Sequence, residues 1–139
     1  MQIGVEADRA VDNKRVFVLD TDEITRMAAV FMLHDENETH EFGSVAAVLD
    51  KAKDWKPDLI ILGEAIVQSE GMGIFKQLSG SISDVKTLLM TPPNEDFVAK
   101  CRESGLSGVA FKPLTVEKLR DRVDAMLGRK RRGIAIQAL

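Results

Sequence analysis

The sequence predicts a three-layer α/β domain: one five-stranded parallel sheet, doubly wound, with helices packed on both faces. Two observations carry this expectation. Short β-rich runs alternate with helix-length amphipathic segments along almost the whole chain, and that alternation calls for crossover connections and parallel pairing. The run DLIIL (58–62) is apolar from its second position onward, as a strand covered on both faces should be.

The elements follow in order. RVFVLD (15–20) is the first strand and ends in an acid. DEITRMAAVFML (22–33) is the first helix, with Ile24, Met27, Ala28 and Phe31 recurring at helical spacing. THEFGS (39–44) is the weakest strand of the set and leads into the helix SVAAVLDKAKDW (44–55), with Ser44 as its N-cap. DLIIL is the third strand. GMGIFKQLSG (71–80) has helical spacing, and DVKTLLM (84–90) is a strand that the following TPP stops. Asn94 caps the helix EDFVAKCRES, which Gly105 closes, and SGVAF (107–111) is the last strand. Thr115 caps a long final helix on which Val116, Leu119, Val123, Met126 and Leu127 form one stripe. Residues 1–14 read as an N-terminal extension, 15–128 as the folded domain, and 129–139 as a basic, then apolar, tail.

Composition bounds the function. A chain of 139 residues, 45% hydrophobic and 29% charged, suits one globular domain with a real core. Its net charge of −3 points to neither nucleic acid nor an anionic membrane as partner. The single cysteine, Cys101, fits a reducing compartment and reads as core. There is no signal-peptide pattern and no run near the ~20 apolar residues that span a bilayer, so a cytoplasmic location is expected.

In a doubly wound sheet, ligands and chemistry collect outside the carboxyl ends of the strands. The residues there are Asp20 and Thr21, Gly63 and Glu64, Thr91, and Lys112. Read in order, RVFVLDTDEITR, KPDLIILG, KTLLMT and GVAFKP, with Gly71 ahead of a helix, resemble the receiver domain of bacterial two-component response regulators over about residues 14–128. The resemblance implies a flavodoxin-like (βα)5 fold and a role in signal transduction. It also implies a chemistry: a carboxylate at the end of the third strand accepts a phosphoryl group, acids after the first strand hold Mg²⁺, and a lysine and a hydroxyl bind the transferred group.

This chain departs from the family pattern at three positions. Gly63 stands where the acceptor aspartate belongs, and Thr21 stands where the second metal-holding acid belongs. Val109 stands three residues before Lys112, where the family commonly has a switching aromatic; Phe111 is expected on the opposite face of the strand. The expectation is therefore an atypical receiver, a pseudo-receiver: not an enzyme, with no catalytic residue, no phosphorylation site, no cofactor and no metal. It would act as a phosphorylation-independent interaction module for a signalling protein, or as a homodimer, through residues 94–128, where Glu95, Lys100, Lys118 and Arg122 are expected to be exposed.

Two other readings stay open. One is a receiver phosphorylated at Glu64, with Asp20 and Asp22 as weak metal candidates. The other is a small-ligand or anion sensor in the space vacated at Gly63, with Lys112 pairing the ligand. Without an acceptor, Lys112 is expected to pair with Asp20, and Thr91 to cap its strand end before Pro92 and Pro93, which stiffen the loop. HDENETHE (34–41) reads as a solvated loop rather than a zinc site, and Asp22 as a first-turn acid. RKRR (129–132) reads as basic groups at a helix C-terminus, with docking by the tail as the sharper alternative.

Overall fold

The computed structural model describes residues 14–129. Apart from Lys14 and Arg129, the expected N-terminal extension and C-terminal tail lie outside the described residues. Five strands form one parallel sheet in the order β2-β1-β3-β4-β5: β1 (Arg15–Leu19), β2 (Glu38–Phe42), β3 (Leu59–Gly63), β4 (Lys86–Thr91) and β5 (Gly108–Phe111). Six helices are described: α1 (Glu23–Leu33), α2 (Val45–Asp54), α3 (Glu64–Glu70), α4 (Gly73–Ser81), α5 (Glu95–Glu103) and α6 (Val116–Leu127).

Alternation along the strands sorts the apolar side chains into two cores. Phe17, Leu19, Ile60, Leu62, Leu89 and Val109 point to one face, where α2, α3, α4 and α5 supply Val48, Ile66, Leu78 and Cys101. Val16, Val18, Leu59, Ile61, Leu88, Met90 and Ala110 point to the other, covered by Ala29 and Leu33 of α1 and by Leu119 and Val123 of α6. The central strands β1 and β3 are inaccessible on both faces from Val16 to Leu19 and from Leu59 to Leu62, which is why their sequences are unbroken apolar runs.

The caps expected at Ser44, Asn94 and Thr115 form, each accepting a backbone N–H at the start of α2, α5 or α6. Asp22, expected as a first-turn acid, is instead the N-cap of α1, and Gly128 ends α6 in the left-handed region at φ 74°.

Four expectations need correction. GEAIVQSEG contains a separate helix, α3, which ends at Gly71 with φ 87°. Its N-cap residue, Gly63, has no side chain with which to announce it. On α1 the Ile24, Met27 and Phe31 stripe faces solvent, and the buried residues are Thr25, Ala29 and Leu33. The helix is apolar on two faces, so period alone could not choose between them. Val116 likewise sits outside the α6 stripe, 39% exposed. Finally, only residues 34–37 of HDENETHE lie outside regular structure, because β2 begins at Glu38, bonded through its N–H to the Lys14 carbonyl.

Candidate functional site

The carboxyl ends of β1, β3, β4 and β5 bring together Asp20, Gly63, Glu64, Thr91 and Lys112, as the sequence predicts. What these residues do there differs from the expectation in a specific way. Asp20 is 1% exposed and turns inward, beneath the start of α3. Its backbone N–H is held by the Phe42 carbonyl (3.1 Å), and its Oδ1 accepts the Ile66 N–H (3.2 Å).

Ile66 is the third residue of α3, the position whose free N–H a local cap normally satisfies. Gly63 makes no side-chain cap bond, so a carboxylate from β1 performs that task from 46 residues away. An ideal Cβ on Gly63 would collide with Asp20 Cγ and both carboxylate oxygens, the farther of which would lie only 2.7 Å away. Asp20 therefore occupies the space that a side chain at 63 would need. The vacancy expected at Gly63 is filled from within the chain, and this is why a glycine fits at that strand end.

The two acids after β1 are electrostatically opposed. Burial pushes the Asp20 carboxyl above its ordinary range, against the pull of the Asp22, Ile66 and Thr21 backbone N–H groups, with the Asp22 charge adding to the rise. Asp22 is held below the ordinary range, first by the Thr25 hydroxyl, then by the Thr25 and Ile24 backbone N–H groups, with a smaller contribution from the Lys112 charge. Asp22 is the N-cap of α1: Oδ1 accepts from Ile24 N (3.1 Å) and Thr25 N (3.4 Å), and Oδ2 accepts from the Thr25 hydroxyl (2.9 Å). Thr21 is exposed. Among the described residues, no group of three or more His, Cys, Asp or Glu side chains is placed to hold a metal ion.

Lys112 does not pair with Asp20. Its Nζ donates to the Thr25 hydroxyl (3.2 Å), which in turn donates to Asp22, so the ammonium joins the cap of α1. Asp20 is unavailable because it has turned under α3. Thr91 is fully buried and donates to the Pro92 carbonyl (3.1 Å), closing the strand end; Glu64 Oε2 lies 3.5 Å from the same hydroxyl. Glu64 is the first residue of α3 rather than part of a loop, and the helix start directs it toward β4.

Val109 is 2% exposed and belongs to the core beneath α5. Phe111 is not on the opposite face of β5: residues two apart on a strand share a face, and Phe111 emerges at the rim on the α5 side, 45% exposed. There it lines an open groove of about 460 Å³ with Pro93, Val98, Ala99 and Arg102. Cys101 is buried, and burial raises its thiol pKa.

Sequence reading missed the bond between Asp20 and Ile66. A signal for it was present, in an acid at the end of β1 and a helix start with no cap of its own, but only tertiary contact joins the two.

A parallel sheet ordered β2-β1-β3-β4-β5, with an acid, a hydroxyl residue and a lysine at the strand ends, defines a receiver-type domain. Residues 16–124 match the response regulator receiver domain family, and the chain belongs to it. No curated protein sequence matches the chain. Among solved structures, it is similar to a response regulator from Thermotoga maritima, with TM-score 0.74 and 18% identity over 84% of this chain and 98% of that one. It is also similar to a two-component response regulator from Clostridium difficile, with TM-score 0.72 and 23% identity over 84% and 97% of the two chains. A receiver-modulated diguanylate cyclase from Pelobacter carbinolicus gives TM-score 0.67 and 20% identity over 83% and 92%. These likenesses are of fold.

Proposed function

We propose that this receiver domain acts as a phosphorylation-independent interaction module, a pseudo-receiver that presents a fixed docking surface in signal transduction. The observation that carries this reading is Asp20 in the space of the missing Gly63 side chain. Phosphoryl transfer in a receiver needs a carboxylate nucleophile and a carboxylate-held Mg²⁺. Here the nucleophile position has no side chain, the acid at the end of β1 caps α3, and a threonine stands at the second acid's position. Lys112, the group that would meet a phosphoryl oxygen, is engaged by Thr25. With Asp20 filling the root of the pocket, the anion-sensor reading loses the space it relied on.

The docking face we assign is α5, β5 and α6, residues 94–128. Glu95, Lys100, Lys118 and Arg122 are exposed there, and the groove under Phe111 and Val98 offers an apolar seat between charged rims. The partner is a signalling protein or a second copy of the chain. No described helix is long and apolar enough to cross a membrane.

One rival keeps a specific observation in its favour. Glu64 lies 3.5 Å from the Thr91 hydroxyl, close enough to act as an alternative acceptor. The test is incubation with acetyl phosphate and Mg²⁺, read by intact mass. The expected result is an unmodified chain and unshifted Thr91 and Lys112 amide signals. An adduct that disappears in Glu64→Gln would replace the pseudo-receiver reading with phosphorylation at Glu64.

A further inference from the structure

The outer face of α1 is apolar, and no described residue covers it. Ile24, Met27 and Phe31 are 81, 53 and 72% exposed, and at these spacings they form one continuous stripe. Single exposed apolar side chains are ordinary, but several in register on one helix mark a surface that something covers.

The chain leaves the described fold beside one end of that stripe. Arg120 of α6 donates through Nε to the Met32 carbonyl (2.9 Å), which seats α6 against α1. Past the Gly128 cap, Arg129 donates to the Glu36 carbonyl (3.3 Å) and to Asn37 Oδ1 (2.7 Å), and pairs with Asp124 (2.8 Å). Residue 129 is thus anchored at Glu36 and Asn37, in the turn that follows α1 a few residues beyond Phe31. This exit is acidic: Asp35 and Glu36 are exposed beside Arg120, and Asp121 is exposed on α6, while Asp124 is buried and taken up by Arg129.

The segment that follows, KRRGIAIQAL, carries Lys130, Arg131 and Arg132 first and Ile134, Ile136 and Leu139 after them. Its order of charge then apolarity matches the order of surfaces met on leaving Arg129: acidic exit, then apolar stripe. Reach is ample. Phe31 and Ile24 are separated by about 10 Å along a helix axis, whereas the ten residues 130–139 span about 33 Å when extended.

We propose that residues 130–139 fold back over α1, the basic run against the acidic exit and Ile134, Ile136 and Leu139 on Phe31, Met27 and Ile24. The domain would then cover its own exposed helix face with its own tail.

A nitroxide on Gln137→Cys tests this in the full chain, because Cys101 is buried and leaves the new thiol as the reactive one. In ¹⁵N-labelled protein, the amide signals of Ile24, Met27 and Phe31 should lose more than half their intensity, at all protein concentrations. Adding Phe31→Ser, an exposed position whose change leaves the core intact, should at least double the surviving signal. No loss on α1 would overturn the proposal. So would a loss that Phe31→Ser leaves unchanged, which would reflect tethering alone. Loss that appears only when the nitroxide is on a different copy would assign the face to a second molecule instead.

Discussion

Asp20 and Gly63 share one volume, and each constrains the other. Gly63 has φ −86° and ψ 163°, a conformation open to alanine, so Gly63→Ala in isolation would stabilise by about 0.4–1 kcal/mol through the unfolded chain. In this fold the added methyl displaces Asp20 and uncaps α3, which costs about 0.5–2 kcal/mol. The expected outcome is a net loss of stability for Gly63→Ala and a neutral or stabilising effect of the same change in an Asp20→Ala background. Urea titrations of the four proteins give the coupling, and additive effects would show that the two residues do not compete. The protonation of Asp20 supplies a second check. Its native pKa is raised by burial, so the folded state binds the proton more tightly than the unfolded chain does. The Asp20 contribution is therefore full below the ordinary carboxylate range and is lost as pH rises through the raised native value. Asp20→Asn keeps an oxygen to accept the Ile66 N–H without the charge. Relative to wild type, the variant should gain stability as pH rises through that window, read as the difference between two melting-temperature profiles.

α1 shows at the level of one element how a buried face is chosen. Two apolar stripes run along it, and the one that packs is the less obvious, Thr25, Ala29 and Leu33. Asp22 caps the helix and draws Thr25 inward, and the Thr25 hydroxyl in turn receives Lys112 from β5, so polar contacts at the first turn fix the rotation. Leu33→Ala should then cost about 2–5 kcal/mol, as deletions in a closed core do, while Phe31→Ser, outside that core, should cost clearly less. Equal costs in chemical denaturation would mean that the helix is rotated. The same element shows the limit of reading sequence. All five strands, their parallel pairing and the caps at Ser44, Asn94 and Thr115 were legible, because strand–helix alternation, period and capping chemistry are written locally. The rotation of α1, the existence of α3 and the partner of Lys112 were not, because each is decided by residues far away in the chain. The strand-end residues could be located from the sequence, but the inward turn of Asp20 could not, since it depends on an uncapped helix 46 positions later. The face of Phe111 was a different kind of miss: strand alternation already places it with Val109.

For the molecule as a whole, a surface that is not switched must be held in place by the ground state. The assigned docking face draws α5 from one layer, α6 from the other and β5 from the sheet between them. Neither layer can loosen alone, because successive residues of β1 and β3 feed alternate cores: Phe17 and Ile60 one, Val18 and Ile61 the other. Trp55, the single tryptophan, reports on this coupling from a distance. It caps the C-terminus of α2, against His40 at 5.3 Å and with the Lys51 ammonium 4.0 Å from its ring centroid, in the layer away from α6. Leu119 of α6 is fully buried in the opposite core. Leu119→Ala should therefore lower stability by about 2–5 kcal/mol and shift Trp55 fluorescence and far-ultraviolet circular dichroism by the same amount, with coincident midpoints in wild type and variant. If the fluorescence midpoint stays at its wild-type value while the dichroism moves, the two layers melt separately. The α5–β5–α6 face would then be a movable junction rather than a fixed platform, and a constitutive docking role would lose its physical basis.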